Sequence, residues 1–393
     1  MRIHRILAEA CVVLLEQVFN EGRVLDRVMA EAFKANPKWG KRDRGFVAET
    51  VWEVVRWRRA LEFVAGADDV RSLLAAEWRR QGFDIPDWWE WAGEGVEEME
   101  KREGLLGSQP RMIRESIPDW LDQGGKSELG DRWDGELAAL NQRAPVFLRV
   151  NRLMASKEEV IVWLIDEGVE VAELEGHNDA LVLPFGKILP KRLVQDGRVE
   201  IQDAGSQAIA PLLGVEPGMR VVDACAGAGG KTLQLAALMQ GSGEILALDV
   251  SARKLMELKR RAGRAGVRNV RLEEWGKHTL KSRIGWADRV LVDAPCSGLG
   301  TLRRQPDLKW RLSEKSLEET KDLQGRILEN CLEFLKEDGQ LVYATCSLLP
   351  SENERQVEEL LKRDGRWAVD AELKVSPAET GWDGFYACRI VRS

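Results

Sequence analysis

Apolar positions near the start of the chain recur with a helical period. Ile3, Ile6, Leu7, Ala10, Val13, Leu14 and Val18 follow a three-to-four-residue spacing and predict an amphipathic first helix. "RDRGFVAETVWEVVRWRRALEFVAG" predicts another, with Val47, Val51, Val54, Val55 and Leu61 on its apolar side. "IPDWWEWAG" sets three tryptophans within four positions. In so acidic a neighbourhood these read as helix-packing material rather than a base-stacking platform. "GSQPRMIRESIPDWL" is rich in breakers and reads as a junction, followed by a helix around "ELAALNQ".

Short strands enter from Pro145. "PVFLRVNRL", "VEVAELEG" and "ALVLPF" predict strands. Between the first two lies "SKEEVIVWLIDEG", a helix with a Ser N-cap, a capping-box Glu and a stop at Gly168. From Asp203 the pattern becomes strand, helix, strand. "RVVDAC", "EILALDV", "VRNVRLEEW", "ADRVLVDA" and "GQLVYATCS" alternate with "KTLQLAALM", "RKLMELKRRAGRAG" and "QGRILENCLEFL". Apolar strands alternating with amphipathic helices predict a doubly wound parallel sheet. "FYACRIVRS" is expected as a last strand at the sheet edge. The expected class is α/β: a helical domain over 1–125, a linker helix and small α+β unit over 126–200, and a Rossmann-like domain over 201–393.

Composition narrows the classes. The 393 residues suffice for two or three domains with real cores. No apolar stretch is long enough to span a bilayer, and the amphipathic start, interrupted by Glu9, does not read as a signal peptide. The six cysteines, Cys11, Cys225, Cys296, Cys331, Cys346 and Cys388, are scattered without metal-ligand or disulfide spacing. A reduced cytoplasm and no metal are the expectations. The net charge of −7 argues weakly against nucleic acid. Its distribution argues the other way: base concentrates at Lys34–Arg44, Arg56–Arg59 and Arg253–Arg271, which suits an anionic partner.

The stretch "VVDACAGAGGKTLQL" looks like a phosphate loop, but Gly230, Lys231 and Thr232 place the first glycine of a Walker A motif at Cys225, where a tight turn needs Gly. The alternative is the first βα turn of a Rossmann-like sheet. There Gly227, Gly229 and Gly230 let backbone approach a ligand, and Asp249, closing the second strand, meets a ribose. Dinucleotides and S-adenosylmethionine both suit that arrangement. Downstream, Asp293 and Cys296 end the fourth strand and Cys346 ends the fifth, so two cysteines flank one crevice. The residues alone do not rank Cys346 above Cys296 as a nucleophile.

Five segments, "FLRVNRL", "IQDAGSQ", "DACAGAGGKT", "DAPCSGLGTLRRQPDLKW" and "YATCSLLPSENE", resemble the RNA cytosine-C5 methyltransferases related to the bacterial small-subunit rRNA enzyme and the nucleolar Sun-type proteins. The resemblance covers about residues 145–393, and the helical part resembles a NusB-type RNA-binding domain. It implies a Rossmann-like S-adenosylmethionine-dependent methyltransferase domain with a small α+β RNA-binding unit. The implied reaction is methylation of cytosine C5, in small-subunit rRNA, by a cytoplasmic monomer that needs no membrane. A tRNA substrate and a non-catalytic ribosome-assembly factor are the alternative readings. Cytosine C5 becomes nucleophilic once a thiolate adds to C6. The resemblance makes Cys346 that nucleophile, Asp293 the acid at N3, and Cys296 the helper of product release. For S-adenosyl-L-methionine it implies Cys225, Ala226, Gly227, Ala228, Gly229, Gly230, Lys231, Asp249, Lys254, Trp275 and Asp293. Arg149, Asn151 and Arg152 are candidates for RNA backbone contact from the small α+β unit, and Arg303, Arg304, Asp307 and Lys309 are expected to order their loop or to meet RNA phosphate. The chain departs from the family at Ala228, usually Pro, at Lys254, usually Arg, and at Trp275, usually Asp.

Overall fold

The computed structural model describes residues 3–187, 189–276 and 280–393. They form two compact units: Met1–Gln142 with Leu302–Glu314, and Arg143–Thr301 with Lys315–Ser393. The first unit therefore runs past the expected boundary at 125 and includes the helix Arg132–Leu140.

The helical unit packs Arg5–Phe19, Leu25–Ala35, Lys41–Arg56, Arg58–Ala65 and Val70–Arg80 around one apolar core. Val47, Val51, Val54, Val55 and Leu61 are buried as expected, but their segment is two helices broken at Trp57. On the first helix the buried face is Leu7, Ala8, Cys11, Val12, Leu14, Leu15 and Val18, whereas Ile6 and Val13 point outward. Trp89 packs edge-on against Trp78 at 4.8 Å, both fully enclosed, which is core material. The breaker-rich junction holds short helices, Arg111–Arg114 and then Asp119–Leu129.

Residues 302–314 fold into this helical unit. Lys309 Nζ donates to Arg56 O (2.7 Å), the Trp310 indole to Val55 O (2.7 Å), and the Leu25 N–H to Asp307 Oδ2 (3.2 Å). The run "LRRQPDLKW" thus works as a clasp on helices far from it in sequence.

The second unit carries two sheets. The smaller, in order β2-β3-β1-β4, is antiparallel: β1 (Phe147–Val150), β2 (Ala172–Glu173), β3 (Ala180–Val182) and β4 (Val199–Ile201). One face packs on the helix Lys157–Asp166, whose start is the expected capping box: Ser156 Oγ accepts from Glu159 N–H, and Glu159 Oε2 from Ser156 N–H. The larger sheet has the order β10-β11-β9-β8-β5-β6-β7. Its strands β5 (Arg220–Asp223), β6 (Glu244–Asp249), β7 (Val270–Glu274), β8 (Ala287–Asp293) and β9 (Leu335–Thr345) run parallel. β10 (Trp367–Val375) and β11 (Phe385–Arg392) are antiparallel. The expected edge position of "FYACRIVRS" is corrected: β11 lies between β9 and β10, and its first six residues are mostly buried. β10 takes the edge, where alternating exposed positions suit one solvated face. The strand ends of β5, β6, β8 and β9 lie side by side, and the chain order switches at β5.

Candidate active site

The first βα turn follows β5. Gly227 and Gly229 have φ of 57° and 91°, left-handed values that a side chain resists. Beneath the loop, Asp223 is fully buried and accepts from Thr232 Oγ1 at 2.6 Å, tying strand end to helix start. Burial pushes its carboxyl up to about 7. Asp249, ending β6, grips the loop from the side: Oδ2 accepts from Gly227 N–H (2.9 Å) and Oδ1 from Ser251 N–H (2.8 Å). Each oxygen keeps lone pairs for a ligand's hydroxyls. Gly230 has open space where a Cβ would stand. This bare backbone beside a carboxylate fits an adenosine carrying an amino-acid tail.

Two further expected cofactor contacts, Lys254 and Trp275, lie after β6 and β7. Lys254 is exposed on the helix Ala252–Arg264, and its backbone N–H meets the Ser251 cap. Trp275 follows β7, but its indole N–H donates to Ala224 O (2.5 Å) and its ring tilts against Phe334 at 5.8 Å. Its polar edge is thus engaged by the protein.

The reacting groups sit on the next two strand ends. β8 and β9 pair with Asp293 opposite Ala344. The turn after β8 brings Cys296 back toward Cys346, with 3.4 Å between the sulfurs. Gly300 N–H donates to Cys346 O (2.9 Å), and Gly384 packs so closely on Gly300 that a Cβ at 300 would lie 2.2 Å from its carbonyl oxygen. The hydrogen bond to Cys346, then burial, raises the Cys296 thiol well above its ordinary value. The two sulfurs share one hydrogen bond, for which either can be the donor. Burial likewise keeps Cys225 protonated, so its contribution to the loop is backbone.

Lys231 links the loop to this centre. Its Nζ lies 2.7 Å from Asp293 Oδ2. Burial works against the ammonium, but Asp293, with support from Cys346 and Asp223, outweighs it and raises the pKa. Asp293 is thus half of an ion pair, with a cation between the loop and the two sulfurs.

The sequence assigned no role to Glu352. This carboxylate is fully buried: Oε1 accepts from Ser297 N–H (2.7 Å) and Gln324 Nε2 (3.1 Å), and Oε2 from the hydroxyls of Ser297 and Ser347 (2.5 Å each). Those serines follow the two cysteines directly. Asn353 extends the tie, donating to Ser347 O (3.0 Å) and meeting Thr345 Oγ1. The available signal was the acid in "SENE" just beyond Cys346, paired with a Ser after each cysteine.

The residues expected at RNA divide. Arg149 and Asn151 are buried. Asn151 Nδ2 donates to Gly197 O and Ala265 O (2.9 Å each), closing a seam between the small sheet and the helix Ala252–Arg264. Arg149 lies opposite Glu200 on β4, and burial lowers its pKa to about 10. Arg303 and Lys309 are also buried, their heads donating to Ala139 O (2.7 Å) and Arg56 O within the helical unit. Heads so enclosed do not reach a phosphate; the bonds of Arg303 and Lys309 fit the other expectation, that they order their loop, and Arg149 and Asn151 are held inside the protein. Arg152, paired with Asp179 at 2.6 Å, keeps a partly exposed head, and Arg304 is half-buried.

With this geometry in view, the comparisons with known proteins agree. The family description "16S rRNA methyltransferase RsmB/F" matches residues 210–390, and "Methyltr_RsmF/B-like, ferredoxin-like domain" matches 117–186. The ribosomal RNA small subunit methyltransferase B of Shewanella oneidensis is 30% identical over 307 residues, covering 73% of this chain and 70% of that one. A methyltransferase homolog from Pyrococcus horikoshii aligns with TM-score 0.64 and 26% identity over 74% of this chain and 99% of that one. NSun6 from Pyrococcus horikoshii, solved with an analogue of S-adenosylmethionine, shares the fold with TM-score 0.64 and 20% identity over 71% of this chain and 99% of its own.

Proposed function

The chain belongs to the RsmB/F family of 16S rRNA methyltransferases, and from that premise we propose that it methylates C5 of a cytosine in small-subunit rRNA through a transient Cys346–C6 bond. The carrying observation is the sulfur pair: Cys296 and Cys346, after neighbouring strand ends, hold their sulfurs 3.4 Å apart, with the Lys231–Asp293 ion pair at the end of β8. The family resemblance makes Cys346 the sulfur that attacks and Cys296 the thiol retained for product release.

S-adenosylmethionine is the methyl donor of the family and, when bound, supplies a methyl group on a sulfonium. The backbone of Cys225–Lys231 and the Asp249 carboxylate would hold it. The Cys346 sulfur adds its electron pair to C6, and the C5–C6 π electrons move toward N3. N3 takes the proton that Asp293 and Lys231 hold between them, with Nζ its resting carrier. C5, now enamine-like, takes the methyl. The C5 proton is then lost to a base, the C6–sulfur bond breaks so that its electrons leave with Cys346 as thiolate, N3 returns its proton to the Lys231–Asp293 pair, and Cys296 is in contact to reprotonate Cys346. The base must leave its stack to reach the strand ends, which favours an open or partly assembled RNA. Arg152 remains the candidate phosphate contact of the small sheet.

Incubation with small-subunit rRNA and methyl-labelled S-adenosylmethionine, followed by nucleoside chromatography, tests this reading. The label is expected in 5-methylcytidine. Label in another nucleoside would overturn the chemistry, and label in tRNA but not rRNA would overturn the substrate.

A further inference from the structure

A side chain of the helix Ala252–Arg264 ties the small sheet to the cofactor loop. Arg261, on the helix Ala252–Arg264, spreads its guanidinium between two partners. Nη1 donates to Ala228 O at 2.8 Å, and Nη2 to Glu200 Oε2 at 2.8 Å. Glu200 lies on β4 and is almost wholly buried. Its other oxygen takes Arg264 Nη2 at 3.0 Å, and Arg149 stands opposite it on β1. A planar fork can hold a carboxylate on one nitrogen and a carbonyl on another, which an ammonium on a flexible stem does not reproduce.

The same helix supports the loop a second time. A Cβ on Gly229 would lie 2.0 Å from Leu258 Cδ1, so Leu258 presses against the loop one turn before Arg261. The helix is itself seated on the small sheet. Asn151 bridges Gly197 O and Ala265 O, and a Cβ on Gly197 would lie 2.2 Å from Arg264 O. Asp249 fixes the loop at the Gly227 N–H and Arg261 fixes it at the carbonyl of the next residue, Ala228.

We propose that Arg261 is a positioning residue for the methyl donor, holding the Ala228 carbonyl on the instruction of Glu200, so that cofactor affinity depends on the seat of the small sheet. It touches no reacting atom. Its loss therefore raises KM for S-adenosylmethionine and leaves kcat at saturating cofactor within about three-fold, because the bond it makes is charge-assisted but remote from the chemistry. Arg264 is the internal control: among the described residues its guanidinium pairs with the same carboxylate and not with the loop. The inference rests on the loop being the cofactor site.

The test is titration calorimetry of the full chain with S-adenosylmethionine, on wild type, Arg261→Met, Arg261→Lys, Glu200→Gln and Arg264→Met, with KM and kcat measured beside it. Arg261→Met is expected to weaken binding about ten-fold or more, and Arg261→Lys to recover only part of it. Glu200→Gln should fall between wild type and Arg261→Met, with Arg264→Met within about two-fold of wild type. Unchanged affinity in Arg261→Met, or an equal loss in Arg264→Met, overturns the proposal. Should Arg261→Met fail to fold, Arg261→Lys decides: full wild-type affinity there overturns it. Failure of the wild type to bind would instead remove the cofactor-site reading itself.

Discussion

Glu352 accepts a hydrogen bond from the backbone N–H of Ser297 at 2.7 Å, and so joins the loop that carries Cys296 to the segment that carries Cys346. The same carboxylate takes the hydroxyls of Ser297 and Ser347. Truncation to Ala leaves several buried donors without an acceptor, each costing about 1–3 kcal/mol. Glu352→Ala is expected to lose about 3 kcal/mol or more in denaturant unfolding. Glu352→Gln should lose less than half of that, since its amide can still bridge the two serines. Equal stability of the two variants would contradict the bridge.

Lys231 and Asp293 form the ion pair beside the sulfurs. Lys231→Met removes the resting carrier of the proton for N3 and leaves Asp293 without its cation. The expected loss in single-turnover rate is about 10²-fold or more, in the range of a general acid. Lys231→Arg keeps the charge but not a transferable proton and should stay near the Met variant. Recovery to wild-type rate by Arg would show that charge alone suffices.

Asp223 gives a signed pH effect. In the unfolded chain its carboxyl titrates near its ordinary value of about 4. In the fold, burial raises it to about 7. Between these values the native state keeps a proton that the unfolded state has released. Its favourable share of stability is therefore full below about pH 4 and lost as pH rises through about 7. Asp223→Asn removes the titration while keeping an acceptor for Thr232 Oγ1. Relative to wild type, the variant should gain stability from pH 5 to pH 8 in paired unfolding curves. Parallel curves would contradict the assignment.

Much of this was legible in the sequence, for identifiable reasons. Periodic apolar runs gave the parallel strands, and the capping box at Ser156 gave a helix start, because both depend on near neighbours. The glycine turn, Asp249, Asp293 and the two cysteines were legible because chemistry restricts which residue types can stand there. Long-range partners were not. Asn151 meets Ala265, Arg303 meets Ala139 and Lys309 meets Arg56 across stretches that no local pattern joins. A basic residue in a strand or loop reads as surface until its acceptor is known. β10 was missed because its alternation is that of a half-exposed edge, weaker than the apolar runs beside it.

The enclosed arginines and lysine make a prediction about RNA. Lys309→Met should leave RNA affinity and its salt dependence within about two-fold of wild type, since its head is enclosed. Arg152→Met should weaken binding across sequences and reduce the salt slope by about one. Filter binding over a range of salt concentrations measures both, and a reversed pattern would return Lys309 to the RNA surface.

The most direct measurement is the covalent adduct. Cys296→Ala and Cys346→Ala variants are mixed with substrate RNA and S-adenosylmethionine, then resolved under denaturing, non-reducing conditions. A protein–RNA species should accumulate for Cys296→Ala, where release is impaired, and be absent for Cys346→Ala. An adduct with Cys346→Ala, and none with Cys296→Ala, would contradict the assignment of the nucleophile.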